Sequence, residues 1–463
     1  MSTLRPIALL LACLAAAPAL AAPQPPAPAP ATTATTAGSG VVDLWQLFQE
    51  AQAADPRILA AQAQSRSAAW NQREAFGQML PQVGLSGTYN RTFSDTESFG
   101  GFAGSQDYYN GERYALGLRQ VLYDPAAWQN YKRFTALAGQ QEAEARDTLE
   151  QASVDLVERY FAALAAEDAL ALVGAELRAT QRNLDRVQSL FQRQMAMITD
   201  VLEISARVDA LKADQIEAAN LVRVSREALA ELVGRPVGER LRRLGPSPAF
   251  SLPPRDSEDW VQTALASNPA LRAQKQAVDA AQASVREARA GHLPTVSLNL
   301  SGQRSDIGYE NSRNPRTDTY VASVGVQVPI YSGGSTSART ASMYEQLMAA
   351  EHTYESARRQ LVRETREAYY GAETSLGRIV AGRTAQTSAE KARQAAERAF
   401  ELGVMNAVDV LDSVKEEYRA RRDLLKAQYD FITNLLVLRR WSGTLVDEDI
   451  RKANEWLVAE GPR

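Results

Sequence analysis

One cysteine occurs in 463 residues, Cys13, and it sits inside an N-terminal apolar run. That run, MSTLRPIALLLACLAAAPALAAP, reads as a secretory leader with the small-residue site ALA at 19–21. Cleavage after Ala21 leaves a mature body with no thiol, hence no disulfide and no thiolate chemistry. A rival reading stays open: LLAC (10–13) resembles a lipoprotein acylation box, although the apolar run continues through Leu14 and Ala15. Histidine is nearly as scarce. His292 and His352 are too few for a metal centre or for acid–base catalysis. A phosphate loop, a Ser-His-Asp arrangement and a metal-ligand cluster are all missing, so neither an enzyme nor a cofactor is expected. The net charge of −4 offers no basic surface to nucleic acid. Beyond the leader no 18 apolar residues run together, which excludes a transmembrane helix.

What the sequence does contain is written twice. DVLE (200–203) returns as DVLD (409–412). AADPRILAAQ (53–62) is echoed by ASNPALRAQK (266–275), and QMLPQVGLSG (78–87) by GHLPTVSLNL (291–300), both at an offset of 213. Further on the offset falls to 209, matching Tyr160 with Tyr369, Phe191 with Phe400 and Gly234 with Gly443. An internal two-fold repeat is the expectation.

Directly after each LP the apolar period becomes two. In TVSLNLSGQ (295–303), Val296, Leu298 and Leu300 share a face opposite Ser297, Asn299 and Ser301. YVASVGVQVPIY (320–331) sets Val324, Val326, Val328 and Ile330 opposite Ser323, Gly325 and Gln327. PQVGLSGTYNRTF (81–93) and RYALGLRQVLY (113–123) alternate likewise. Each half therefore holds a β-hairpin, apolar on one face and small-polar on the other. That pattern fits a wall with lipid outside and water inside. Four strands cannot close a barrel, so several chains have to pool them.

Between the hairpins lie very long helices. From Pro125 to about Ser189 there is no proline, and Leu149, Leu156, Ala163, Leu170, Leu177, Leu184 and Phe191 recur every seventh residue. The segment 337–399 is Ala-rich (Ala381, Ala385, Ala389, Ala392, Ala396, Ala399), as suits inner positions of a layered tube. Further helices are expected over about 43–79, 199–233, 257–291, 407–442 and, shorter, 444–460.

The stretch ELGVMNAVDVLDSVKEEYRARRDLLKAQYDFITNLLVLRRWSGTL (401–445), with Gly403, DVLD six residues on and the closing GTL, resembles the TolC-like outer-membrane channel family. The resemblance spans essentially the whole mature body. It implies a mixed α and β homotrimer: a 12-stranded transmembrane β-barrel, four strands per chain, continuous with a periplasmic α-helical coiled-coil barrel. It implies as partners outer-membrane lipid, a periplasmic membrane-fusion adaptor and an inner-membrane ABC or RND-type pump. Val296, Leu298, Val324 and Val326 would face lipid. Asp409 and Asp412 would line the periplasmic aperture, and Asp200 would belong to a latch that closes it. The family's latch offers that Asp a Tyr and an Arg, whereas this chain has Phe400 and Met405; the first-half glycine is replaced by Gln194. Closure by Met195, Met197 and Met405 is one alternative, and plain packing of these methionines between helices is another.

Expected segments are a signal peptide (1–21), a disordered Pro/Ala/Thr linker (22–40), a first repeat (41–235, hairpin 81–123), an inter-repeat linker (236–256), a second repeat (257–443, hairpin 294–331) and a C-terminal equatorial segment (444–463). The expected function is export of proteins by type I secretion, or of small toxic molecules, through the outer membrane. A soluble periplasmic coiled-coil adaptor is the alternative; it accounts for the helices and not for the hairpins. The exported substrate is not written in these residues.

Overall fold

A computed structural model describes residues 40–96, 105–245, 248–307 and 316–458. The leader with Cys13 and Ala21, and the linker up to residue 39, lie outside the described residues, as do both hairpin loop tips. Two compact units are distinguished. The minor one includes Val41 and Gly238–Arg240; the main one, Val42–Val237 with Leu241–Arg463, carries every feature discussed below.

The described chain begins with β1 (Val41–Val42), α1 (Leu44–Ala54) and α2 (Pro56–Gly77). The hairpin β2 (Gln82–Thr96) and β3 (Ser105–Tyr123) precedes α3 (Pro125–Gln192) and α4 (Ile198–Val233). Short strands β4 (Arg240–Leu241) and β5 (Arg243–Leu244) lead into α5 (Ser257–Ser267) and α6 (Pro269–Ala290). Then come β6 (Thr295–Ile307), β7 (Thr317–Gln327), α7 (Ser335–Glu401) and α8 (Ala407–Trp441). α9 (Asp447–Glu455) and β8 (Leu457–Val458) close the sequence of elements, with β8 antiparallel to β5.

Single helices over 43–79 and 257–291 are not what forms. Each breaks about three turns in, after 11 helical residues, at Asp55–Pro56 and at Asn268–Pro269. A residue before proline is pushed out of the helical region, and proline tolerates the first helical position. The Asp55 carboxylate accepts from Arg57 N–H (2.8 Å) and the Asn268 side chain from Leu271 N–H (2.9 Å), so each break is capped. The second strand of the second hairpin also ends early, at Gln327. Val328 and Ile330 fall beyond it, beside Pro329, which has no N–H to give a ladder.

α3 and α7, of 68 and 67 residues, are each about 100 Å long at 1.5 Å per residue. Close to the sheet the helices pack in the order α2–α3–α6–α7; towards the far turns the order is α4–α3–α8–α7. On the heptad seam of α3, Leu156, Ala163 and Leu184 are buried and Leu149, Leu170 and Leu177 half-buried, while Phe191 at the turn is exposed. In the Ala-rich seam of α7 only Ala396 is buried, and Ala381, Ala385 and Ala392 are exposed, because towards the far turns α7 ends the row with α8 as its one neighbour among the described residues.

The largest core is a belt at mid-height. Leu44, Leu47 and Phe48 of α1, Leu156 to Leu164 of α3, Leu229 of α4, Ile432 and Leu436 of α8 and Ile450 of α9 meet there. Burying several such side chains, each worth about 1.5–3 kcal/mol, makes this the fixed section of the helix rows. Tyr160 donates to the Arg242 carbonyl (2.9 Å) and Tyr429 to the Asp168 carboxylate (2.5 Å), which satisfies the polar ends of two buried rings.

Two glycines seal the junctions of this belt in left-handed conformations, Gly234 (φ 76°) and Gly443 (φ 64°). A Cβ on Gly443 would lie 2.6 Å from the Ser267 carbonyl carbon and oxygen, whereas one on Gly234 would meet only the Ala54 methyl at 3.3 Å. Gly443→Ala is therefore expected to lower the thermal midpoint more than Gly234→Ala, by the further 1–3 kcal/mol or so of a forced backbone shift; paired melting curves of the detergent-extracted variants check it.

Glu150 of α3 has a buried carboxylate oxygen without a hydrogen-bond partner. Burial, aggravated by the Asp147 carboxylate, pushes its pKa up to about 7 against partial relief from Arg440 and Arg146. The folded state holds this proton more tightly than the unfolded one. Its stabilising effect is complete below the ordinary value of 4.5 and is lost as pH rises through about 7. The whole swing is at most about 3 kcal/mol. Glu150→Gln is expected to flatten the fall in thermal midpoint between about pH 5 and 8, a difference read by melting at both ends of that range.

Candidate functional site

Two places hold the sequence-selected residues: the sheet and the pair of turns at the far ends of the long helices. The sheet is antiparallel throughout, in the order β2-β3-β6-β7. Its register sets Val296 directly opposite Val326 and Leu298 opposite Val324. Val83, Leu118, Leu300 and Ala322 form one continuous row on the same face, and Leu85, Leu116, Gly302 and Tyr320 the next. The Tyr320 ring covers the bare Gly302 backbone at 3.3 Å from an ideal Cβ position, as Tyr114 covers Gly87. The opposite face carries Gln82, Arg119, Asn299 and Ser323 in one row.

Among the described residues no helix packs on this sheet. Val324 and Val326 are 62% and 65% exposed, and Val296 and Leu298 half-buried. β2 and β7 are the two edges of the sheet and pair on one side only. Unpaired edges next to a bare apolar face make a surface that water does not tolerate well and that lipid tolerates only when the edges are closed.

The turns are built alike. Between α3 and α4, Gln194 takes a left-handed φ of 63°, with Met195 N–H bonded to the Leu190 carbonyl (2.8 Å). Between α7 and α8, Gly403 takes φ 73°, with Val404 N–H bonded to the Ala399 carbonyl (2.9 Å). These positions correspond one for one at the 209-residue offset. Glutamine stands where a residue with a Cβ is strained by about 1–2 kcal/mol.

The acids of the two turns are used differently. The Asp200 carboxylate accepts from Met197 N–H (3.3 Å), tying the start of α4. In the other turn Asn406 takes the capping role, its side chain accepting from Asp409 N–H (2.8 Å). The carboxylates of Asp409 and Asp412 are exposed, three residues apart on one helical face, with no hydrogen-bond or ion-pair partner among the described residues. Asp200 is thus not brought to Phe400 or Met405 through any polar contact.

Phe400 instead joins two apolar clusters. It packs against Leu184, Val187 and Ile204 of the α3–α4 hairpin and against Ala396, Val410 and Val414 of the α7–α8 hairpin, where Met405 also lies. An ion pair from Arg186 to Glu401 (3.8 Å) spans the same gap at the surface. Met195 and Met197 are exposed, as are Leu402 (80%) and Val404 (82%). One contact was invisible to residue patterns: buried Glu417 of α8 is held between Arg393 of α7 and Arg421. Its only linear signal is an acid at an i,i+4 spacing from an arginine, which many solvated helices share. Among the described residues no group of acids, histidines or cysteines is arranged to hold a metal ion.

The profile of the family described as outer membrane efflux protein matches residues 47–235 and 260–444. Outer membrane protein TolC of Vibrio cholerae is 29% identical over 420 residues, covering 90% of this chain and 94% of that one. Alkaline protease secretion protein AprF of Pseudomonas aeruginosa is 30% identical over 409 residues, covering 86% and 83%. Among solved structures, the Campylobacter jejuni CmeC outer membrane channel superposes with a TM-score of 0.76 at 14% identity, over 90% of each chain.

An aspartate at Val324 or Val326 is expected to reduce the amount of protein recovered in the membrane fraction strongly, and one at Ser323 only weakly. The difference follows from a midplane charge on a lipid-facing strand costing about 2–4 kcal/mol or somewhat less for an acid. Fractionation and immunoblotting of the three variants decide it, and equal recovery contradicts the lipid-facing assignment.

Proposed function

The chain belongs to the outer membrane efflux protein family, and from that premise we propose how its residues build a conduit. It is an outer-membrane channel protein of the efflux and type I secretion kind, and the soluble-scaffold alternative is not favoured. The finer reading is a homotrimer whose sheets join, β2 of one copy to β7 of the next, as a single twelve-stranded barrel. The observation that carries it is the four-stranded sheet with one bare apolar face and two open edges. Val296, Leu298, Val324 and Val326 then face lipid. The helix rows continue the wall into the periplasm, where an adaptor and an inner-membrane ABC or RND-type pump engage it.

The segments 41–235 and 257–443 are read as duplicated halves. Their equivalent turns, the capped breaks before Pro56 and Pro269, and the paired glycines at 234 and 443 support that reading. Residues 236–256 are read as the link between the halves, and 444–463, of which 459–463 lie outside the described residues, as an equatorial segment.

At the far turns, Asp409 and Asp412 of three copies would place six carboxylates around one axis. At about 7 Å in water each pair repels by about 0.6 kcal/mol, so the ring favours a multivalent cation that neutralises several at once. The latch takes an apolar form in this chain: Phe400 and Met405 fasten the two hairpins by contact, and Asp200 serves the start of α4. Both protein cargo and small toxic molecules fit a lumen lined by small polar residues.

Replacing Asp409 and Asp412 together by Asn is expected to weaken block of single-channel current by divalent and trivalent cations by at least about tenfold, a difference of about 1.4 kcal/mol. Planar-bilayer recordings of the purified trimer supply the comparison; an unchanged blocking concentration removes these residues from the aperture.

A further inference from the structure

The α4–α3–α8–α7 row ends on two unlike faces. α4 turns Ile204, Val208 and Leu211 inward, all buried. At 100° per residue, its opposite face carries Leu202, Asp209, Ile216 and Val224, all exposed, with Ile216 at 72%. α7 turns Ser375, Ile379 and Ala396 inward. Its opposite face carries Gly377, Thr384, Lys391 and Ala395, every one exposed. One end of the row is large, apolar and acidic. The other is small and basic.

The two faces match in height. Both turns lie at one level, as the Arg186–Glu401 ion pair and the Phe400 packing require. A closed ring of copies has no rise along its axis, so residues equally far from their turns meet. Ile216 is 18 residues past Ile198 and Thr384 is 17 before Glu401. By the same reckoning Asp209 (11 past) meets Lys391 (10 before), and Leu202 and Val224 come within two residues of Ala395 and Gly377. Each large side chain finds a small one, the arrangement that lets ridges enter grooves. Lys391 has no partner among the described residues, and Asp209 has only an exposed bond to Lys212 (2.9 Å).

We propose that the outward face of α4 docks on the outward face of α7 of a second copy of this chain, with Ile216 seated over Thr384 and Asp209 paired with Lys391. This rests on the trimeric reading above and adds to it the residues and the register that close the helical wall.

Because Cys13 is the one cysteine of the sequence and is either removed by cleavage or capped by lipid on the two readings above, engineered pairs report cleanly. Ile216→Cys with Thr384→Cys in the full-length chain, oxidised in native membranes with copper phenanthroline, should give an interchain ladder ending at three chains. Neither single variant should cross-link, nor should Ile216→Cys with Ala395→Cys, whose sites differ in height by about 18 Å. A heat-sensitive trimer that carries the first pair without cross-linking overturns the register while leaving the conduit reading intact. A monomer overturns both. Asp209→Lys should reduce the fraction surviving as trimer by about fivefold, and Lys391→Asp in the same chain should restore it; loss without rescue overturns the ion pair.

Discussion

Backbone hydrogen bonding at the rim of a sheet governs this molecule. β2 and β7 each leave a row of N–H and C=O groups unpaired, and the face between them is apolar. Water would leave the face exposed and lipid would leave the rims unsatisfied, so neither solvent suits a single chain. Lateral addition of copies removes both defects together. The helix rows repeat the situation, since among the described residues α2 and α4 end the rows on one flank and α7 on the other. In every layer the first half supplies one flank and the second half the other, so head-to-tail addition completes all layers at once.

Much of this was legible in the residues. Alternation in TVSLNLSGQ and its partners located the strands, and the seven-residue recurrence from Leu149 located α3, because both periods follow directly from backbone geometry. Boundaries were less visible. Asp55–Pro56 and Asn268–Pro269 broke helices that the apolar period alone would have carried through. The alanines of α7 are not explained within one chain, since a small side chain is compatible with a close neighbour without implying that one exists inside the same chain.

The candidate site was legible in part. The echo of DVLE in DVLD drew attention to two turns that are built alike, and the substitutions at Phe400 and Met405 indicated that a polar latch could not form there. Patterns did not show that Asn406 would free the Asp409 side chain by taking over the cap, or that Asp200 would cap in its own turn. Those roles depend on which oxygen reaches which N–H, a matter of a few tenths of an ångström. Gln194 was readable as a departure from glycine, but its left-handed backbone became evident only from the turn geometry.

α3 passes through the mid-height belt without a break, gripped there by Leu156, Val157, Tyr160 and Phe161 and much less tightly packed beyond Leu170. Such a rod has a fulcrum. Its two arms, 29 residues from Val154 back to Pro125 and 28 from Leu164 on to Gln192, are nearly equal, so a small tilt at the belt is carried to both ends in proportion to their distance from it.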